Sequence, residues 1–172
     1  SEPALRSDAL KALAQVSDAK TPDKILEIYD QLSATEKTDA VGTLTSRLPY
    51  AEVLVTALAD GRIARTDVHA FHIRQIQSLG NEALNASLEK AWGAIRESSA
   101  DKQAKMQTFA ALLADDAIQN GNRSHGRFLF DKTCGSCHKL FGNGGDVGPD
   151  ITGSNRTNLD YLLQNIVDPS AV

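Results

Sequence analysis

The sequence predicts an all-α fold, and three observations support that prediction. Apolar residues recur at intervals of three and four, as in Ile25, Ile28, Tyr29 and Leu32, so that they share one face of a helix. Residues typical of helix ends stand where these patterns start and stop. The alternating β-branched runs that indicate strands are missing from the N-terminal part of the sequence.

Seven helices are predicted in the N-terminal part, over residues 3–16, 22–32, 35–48, 51–60, 66–79, 81–98 and 101–120. Thr21 before a proline opens the second helix, and Ser33 with Glu36 forms a capping box at the third. Gly61 and Gly80 end the fourth and fifth helices. Paired short helices with tight turns suggest an α-solenoid of HEAT type, although no strict sequence period is visible.

Residues 134–138 read Cys-Gly-Ser-Cys-His, which is the pattern of covalent attachment of a c-type haem. Each thiol adds to one vinyl group of the porphyrin, and the histidine that follows becomes an axial ligand of the iron. The chain has two cysteines in all, so neither a disulfide framework nor a four-thiolate cluster competes for them. We therefore expect one haem c per chain, held by Cys134 and Cys137, with His138 as the metal ligand.

Two other uses of this motif stay open. A zinc site needs further cysteines or histidines at finger spacing, and none follows in the sequence. A redox-active dithiol pair expects a βαβ setting, for which the sequence gives no sign. His69 and His72 stand one helical turn apart, but they lack a third ligand, so we predict surface or core roles for them.

The flanking residues suit a haem. A helix predicted over residues 126–133 carries Phe128 and Phe130, and we expect Phe130 to contact the haem edge. Residues 141–150 are rich in glycine and cannot continue a helix. A glycine loop lets the backbone approach the porphyrin face closely. A phosphate-binding loop is excluded because no Gly-Lys-Ser/Thr ending and no preceding strand accompany the glycines.

Residues 126–172, from GRFLFDKTCGSCHKLF to NIVDPSAV, resemble a class I c-type cytochrome. More narrowly, they look like the C-terminal haem-binding domain of large exported proteins of planctomycetes and verrucomicrobia. Residues 59–92, ADGRIARTDVHAFHIRQIQSLGNEALNASLEKAW, are similar to the helical repeats that precede that domain. The resemblance implies that the Pro149 carbonyl accepts a hydrogen bond from the second ring nitrogen of His138. We accordingly divide the chain into a HEAT-like scaffold, 1–120, and a cytochrome c-type haem-binding domain, 121–172.

The sequence departs from this family at the sixth iron ligand. Class I cytochromes usually supply a methionine well after the haem motif, but no Met, His or Cys follows His138. We expect that the haem domain is incomplete at its C-terminal end and that its distal methionine belongs to the missing part. Ligation by Met106 or His125, and a five-coordinate haem, are the open alternatives.

The expected function is electron transfer by the haem, to or from a dehydrogenase or another cytochrome. Such a role needs no acid, base or nucleophile, so we predict no catalytic residue and do not expect an enzyme. By resemblance, a dehydrogenase module would belong to the same polypeptide. The alternative is a haem sensor or a peroxidase-like protein with an open distal site, where Arg156 is the local donor.

Composition limits the partners and the location. Residues 1–125 hold 14 Lys/Arg and 17 Asp/Glu, and residues 126–172 hold four and five. Neither part is basic, so we expect no nucleic-acid partner and instead a redox partner protein. No apolar run approaches the length of a membrane span. Because haem c is attached on the exported side of a bacterial membrane, we expect a periplasmic or otherwise exported protein.

Overall fold

A computed structural model describes residues 3–113, 117–118 and 120–169, and over these residues the protein is mostly helical. The α-helices of this part are α1 Pro3–Leu13, α2 Thr21–Ile28, α3 Ala34–Leu44, α4 Leu48–Ala59, α5 Ala70–Gln77, α6 Glu82–Trp92, α7 Ala100–Leu112, α8 Arg123–Thr133 and α9 Leu159–Val167. Two 3₁₀ turns cover Tyr29–Gln31 and Arg65–Asp67, and two short strands cover Lys139–Leu140 (β1) and Asn143–Gly144 (β2).

Several of the helix-end signals read from the sequence are confirmed in the first half of the chain. Ser33 and Glu36 form the capping box of α3, since the Glu36 N–H donates to the Ser33 hydroxyl and the Ser33 N–H donates to the Glu36 carboxylate. Helix α2 begins at Thr21, before a proline in its first turn. Gly61 and Gly80 follow α4 and α5 with positive φ angles of 72° and 70°.

Helices α1 to α6 share one hydrophobic core. Helix α1 packs on α3, and α4 packs on α6. The side chains at its centre are almost completely buried: Ile25, Ala40, Val41, Leu44, Ala51, Leu54, Ile73 and Leu88. Burying one leucine or isoleucine side chain contributes about 1.5–3 kcal/mol, so this core stabilises the packing of the first six helices.

Helices α7, α8 and α9 bury fewer side chains than the first six helices do. No residue of α7 or of α8 is buried among those described. Helix α9 packs on α7 and α5 through Tyr161 and Leu163, which are 5% and 6% exposed. Arg74 of α5 ties down the end of α9, because its guanidinium donates to Asn165 Oδ1 at 2.7 Å and to the carbonyls of Asp168 and Pro169. The segment after the cysteine motif is therefore attached to the helical core.

Several predictions of the fold are wrong in detail. The all-α prediction missed the antiparallel hairpin in which Lys139 pairs with Gly144 and Leu140 with Asn143. Its turn is made by Phe141 and Gly142, both with positive φ. Helix α9 was not predicted. The 81–98 helix ends at Trp92, because Gly93 turns the chain away with a φ of 109°.

Other helix limits also differ from the sequence prediction. The helices expected over 3–16 and 35–48 end at Leu13 and Leu44, the helix expected over 51–60 begins at Leu48, and the helix expected over 22–32 ends at Ile28 and is followed by a 3₁₀ turn. The helix expected over 66–79 begins only at Ala70, after a 3₁₀ turn that ends at Asp67. The helix expected over 101–120 ends at Leu112, and residues 114–116 and 119 of that range lie outside the described residues. Among the residues that the structure describes, no helix is long and apolar enough to cross a bilayer.

Candidate functional site

The cysteine motif occupies the turn that ends α8. The N-terminus of α8 is capped by Asn122, whose side chain accepts from the His125 N–H at 3.0 Å. At the other end, the Cys134 N–H still donates to the Phe130 carbonyl at 2.8 Å. The chain then coils once more, with the His138 N–H donating to the Cys134 carbonyl at 2.9 Å. This coil brings the two cysteines and the histidine onto one short turn.

Both thiols of the motif are free and exposed. Cys134 and Cys137 form no disulfide in the structure, and each is accessible from solvent. Within the described ranges, no group of three His, Cys, Asp or Glu side chains gathers to hold a metal ion.

A glycine loop packs directly on the backbone of the motif. The Gly145 N–H donates to the Gly135 carbonyl at 2.9 Å, and the Gly148 N–H donates to the Cys137 carbonyl at 2.7 Å. A Cβ atom at position 144 would overlap the His138 carbonyl oxygen, and one at position 145 would overlap the Ser136 carbonyl oxygen. These glycines are therefore needed for close approach to the motif.

The imidazole of His138 is held in one tautomer. Its Nδ1 atom lies 2.9 Å from the Pro149 carbonyl oxygen, which is the contact that the family resemblance implies. A carbonyl can only accept, so Nδ1 carries the proton and a neutral ring has its lone pair on Nε2. No hydrogen bond to Nε2 is found among the residues that the structure describes. His138 is thus prepared to bind a metal ion through Nε2.

The residues after Pro149 fix this acceptor. The Asp150 carboxylate accepts from the Thr152 N–H at 2.9 Å, and the Ile151 N–H donates to the Lys139 carbonyl at 3.0 Å. Lys11 of α1 reaches the same carboxylate, with 3.1 Å between Nζ and Oδ2. Burial alone would raise the pKa of Asp150, but the hydrogen bonds from Thr152 and Lys11 outweigh burial and lower it.

Large apolar side chains are exposed around the motif. Phe128 and Phe141 are each 59% exposed, and Leu129 and Val147 are also open to solvent. Phe130, which we expect at the haem edge, is only partly buried. Two free thiols, an imidazole with a free Nε2 and a glycine cradle surrounded by apolar surface are the donor set and the setting of a covalently bound haem. The residues present therefore fit this group.

The candidate sixth ligands lie elsewhere or on the surface. Met106 lines a cavity of about 760 Å³ between α5, α6, α7 and α9, and none of the lining residues belongs to the cysteine motif or its glycine loop. His125 is exposed in the first turn of α8, where its ring stacks near Phe128 with 6.2 Å between centroids. Neither side chain contacts His138 in the described structure.

The other residues considered in the sequence analysis, Arg156, His69 and His72, contact other residues of the folded chain. Arg156 lies over the Phe141 ring, 4.8 Å from its centroid, and donates to the Thr152 carbonyl at 2.9 Å. His72 is 1% exposed, and its Nδ1 accepts from the His69 N–H at 3.1 Å. Burial lowers the pKa of His72 to about 3, so the ring is neutral near pH 7. The core role predicted as one alternative for these histidines is confirmed for His72.

Sequence reasoning missed Lys11, Asp150 and Gly148 as parts of this site. Gly148 lies against the His138 ring, since a Cβ atom there would be 2.6 Å from Cε1 and 2.7 Å from Nδ1. Its place in a glycine-rich run next to Pro149 was the available signal. No sequence signal indicated Lys11, because its contact joins residues at opposite ends of the chain.

Comparison of the chain with protein-family models, with curated proteins and with solved structures found no match. The functional interpretation therefore depends on the motif and its geometry.

Proposed function

We propose that this protein binds one haem c covalently and transfers electrons through it. The observation that supports the proposal most strongly is the hydrogen bond between His138 and the Pro149 carbonyl, next to two free thiols in a Cys-X-X-Cys-His turn. A simple dithiol pair would not need a histidine held in one tautomer at this position, whereas a histidine that binds a metal usually donates its other ring N–H in this way.

Each residue of the site would have a separate role in binding the haem. The Cys134 and Cys137 sulfurs would form the two thioether bonds, and His138 Nε2 would bind the iron. The Pro149 carbonyl keeps the proton on Nδ1, which orients the ring and makes Nε2 a stronger donor. When bound, the haem iron supplies a one-electron redox couple whose potential depends on its axial ligands and on the surrounding polarity.

The surrounding side chains favour such a group for reasons of solvation. Phe130 would contact the haem edge, and the exposed rings of Phe128 and Phe141 lie on the same part of the chain. Large apolar side chains seldom cluster on a surface without a binding role. Covering them with a porphyrin would remove apolar area from water at about 25 cal/mol per Å².

In this proposal, residues 1–120 are a HEAT-like scaffold and residues 121–172 are a cytochrome c-type haem domain. Support for this arrangement comes from the shared core of α1 to α6 and from the bonds of Arg74 to the end of α9. The scaffold would present the haem to a redox partner protein, a dehydrogenase or another cytochrome, in the bacterial periplasm or outside the cell. The chain itself would catalyse no reaction.

The second candidate is a haem sensor or a peroxidase-like protein with an open distal site. The observation in its favour is Arg156, whose Nε is buried and has no hydrogen-bond partner in the described part of the chain. An arginine near the haem could donate to a bound ligand. Its guanidinium instead stacks on Phe141, so electron transfer remains our proposal.

Optical spectroscopy with a redox titration separates the two candidates. The protein would be produced in a bacterial periplasm together with a haem c maturation system. A low-spin spectrum with a reversible one-electron potential supports electron transfer. A high-spin ferric spectrum that changes on addition of cyanide or carbon monoxide would support the sensor or peroxidase instead.

A further inference from the structure

Lys11 connects the first helix to the turn that carries the His138 acceptor. Its ammonium nitrogen lies 3.1 Å from an Asp150 carboxylate oxygen and 3.6 Å from an Asp39 carboxylate oxygen. Asp39 belongs to α3 and also accepts from the Ser7 hydroxyl of α1. The side chains of Asp39 and Asp150 are 10% and 19% exposed, so both carboxylates are largely shielded from water.

The position of Asp150 determines the direction of the acceptor carbonyl. The Pro149 carbonyl and the Asp150 Cα belong to the same peptide unit, which is planar. A displacement of the Asp150 backbone at its Cα therefore also moves the carbonyl oxygen that accepts from His138 Nδ1. The carboxylate of Asp150 is fixed from the loop side by the Thr152 N–H and from the helical side by Lys11.

We infer that Lys11 is a positioning residue for the axial histidine, acting through Asp150 and the Pro149 carbonyl. The inference goes beyond the proposed function and rests on it for the identity of His138 as an iron ligand. Lys11 lies outside the haem-binding segment, so the helical scaffold takes part in tuning the ligand and does not merely carry it.

Loss of the Lys11 ammonium would weaken the hydrogen bond between His138 and the Pro149 carbonyl. The shielded carboxylates of Asp39 and Asp150 would then share no cation, and their repulsion would loosen the turn after Pro149. The Nδ1–carbonyl distance of 2.9 Å is already optimal, so loosening can only weaken that hydrogen bond. A weaker bond makes the imidazole a poorer donor to ferric iron, which raises the reduction potential.

The sign of the potential shift distinguishes positioning from charge alone. Removing a positive charge near a haem, with no change of geometry, favours the more positive ferric state and lowers the potential. Weakening the hydrogen bond to His138 has the opposite effect. The expected rise in potential would therefore not arise from the lost charge itself.

The test compares Lys11→Met and Lys11→Arg with the wild-type chain. It measures the exchange rate of the His138 Nδ1 proton by ¹⁵N NMR and the reduction potential by optical titration. We expect several-fold faster exchange and an upward shift of potential in Lys11→Met, with both values restored by Lys11→Arg. Lys24→Met is the matched control, because it removes a lysine from an exposed pair with Glu27 on α2.

Unchanged exchange in Lys11→Met, with a potential that stays or falls, would overturn the inference. So would equal effects in Lys24→Met. Should the Met variant lose its far-UV circular dichroism, Lys11→Gln serves for the same two measurements. A wild type whose mass includes no haem would contradict the proposed function. The NMR exchange rate would still show whether Lys11 stabilises the hydrogen bond of His138.

Discussion

Gly148 lies against the imidazole of His138 so closely that no larger residue fits between the glycine loop and the ring. A Cβ atom at position 148 would stand 2.6 Å from His138 Cε1. Since real Cβ contacts of this length essentially do not occur, the ring or the loop must move when the glycine is replaced. The glycine loop and the histidine therefore form one packed unit.

We expect Gly148→Ala to displace His138 from the Pro149 carbonyl. Loss of a partner that orients a metal ligand typically costs about 10–100-fold in metal affinity or activity. The optical spectrum should show weakened axial ligation, and the bond between His138 and the iron should be lost more readily on mild acidification. Gly153→Ala is the control, because nothing lies within 4 Å of a Cβ atom there. Identical spectra in the two variants would refute the packing argument.

Replacing His138 with alanine should remove the axial ligand and leave the helical core intact. None of the buried core residues of α1 to α6 belongs to the cysteine motif, so far-UV circular dichroism should retain its helical signal. The haem should remain attached through its thioethers, while the reversible wild-type potential disappears. A variant that kept that potential would show that another residue is the axial ligand.

His72 should make the protein less stable in mild acid. Its pKa is about 3 in the folded protein and 6.5 when exposed, because burial disfavours the charged ring. A folded pKa below the unfolded one gives stability that is complete above about pH 6.5 and falls as the pH drops toward 3. Between pH 7 and pH 5, His72 should reduce the free energy of unfolding by about 2 kcal/mol.

Denaturant titrations of the wild type and of His72→Asn at these two pH values would test the effect of His72. The Asn side-chain oxygen can still accept from the His69 N–H but does not titrate. We expect the variant to lose about 2 kcal/mol less than the wild type between pH 7 and pH 5. His125→Gln, at an exposed position, controls for a general effect of removing histidine. Equal pH dependence in wild type and His72→Asn would contradict the burial argument.

Arg74→Met should release the segment that follows the glycine loop. Arg74 is 4% exposed, and its guanidinium donates to the Asn165 side chain and to the carbonyls of Asp168 and Pro169. Hydrogen bonds from a charged donor contribute about 1.5–3 kcal/mol, so stability should fall by an amount of this order. Limited proteolysis should become faster in residues 150–169. Arg62→Met removes an exposed pair with Asp60 and should have little effect on either measurement.

Features of the fold that depend on neighbouring residues could be predicted from the sequence. The Ser33–Glu36 capping box and the helix ends at Gly61 and Gly80 are set by contacts within a few residues, and all were predicted correctly. The glycine loop after the cysteine motif was also predicted as a loop, because glycines disfavour a helix whatever surrounds them.

Features set by distant contacts could not be predicted in this way. The helix expected from residue 66 starts later because Asp67 bonds to Tyr29 and Lys37, and these residues keep the chain in a 3₁₀ turn. The place of Lys11 at the site depends on the packing of α1 near the turn after Pro149, which no local pattern encodes.

The most direct test of the account is the intact mass of the denatured protein after periplasmic production with haem c maturation. We predict that the wild type carries the mass of one haem through denaturation and acid–acetone extraction. Cys134→Ser and Cys137→Ser should each keep a haem held by one thioether, and the double variant should keep none. A wild-type polypeptide that leaves extraction colourless, with only the mass of its amino acids, would contradict the account.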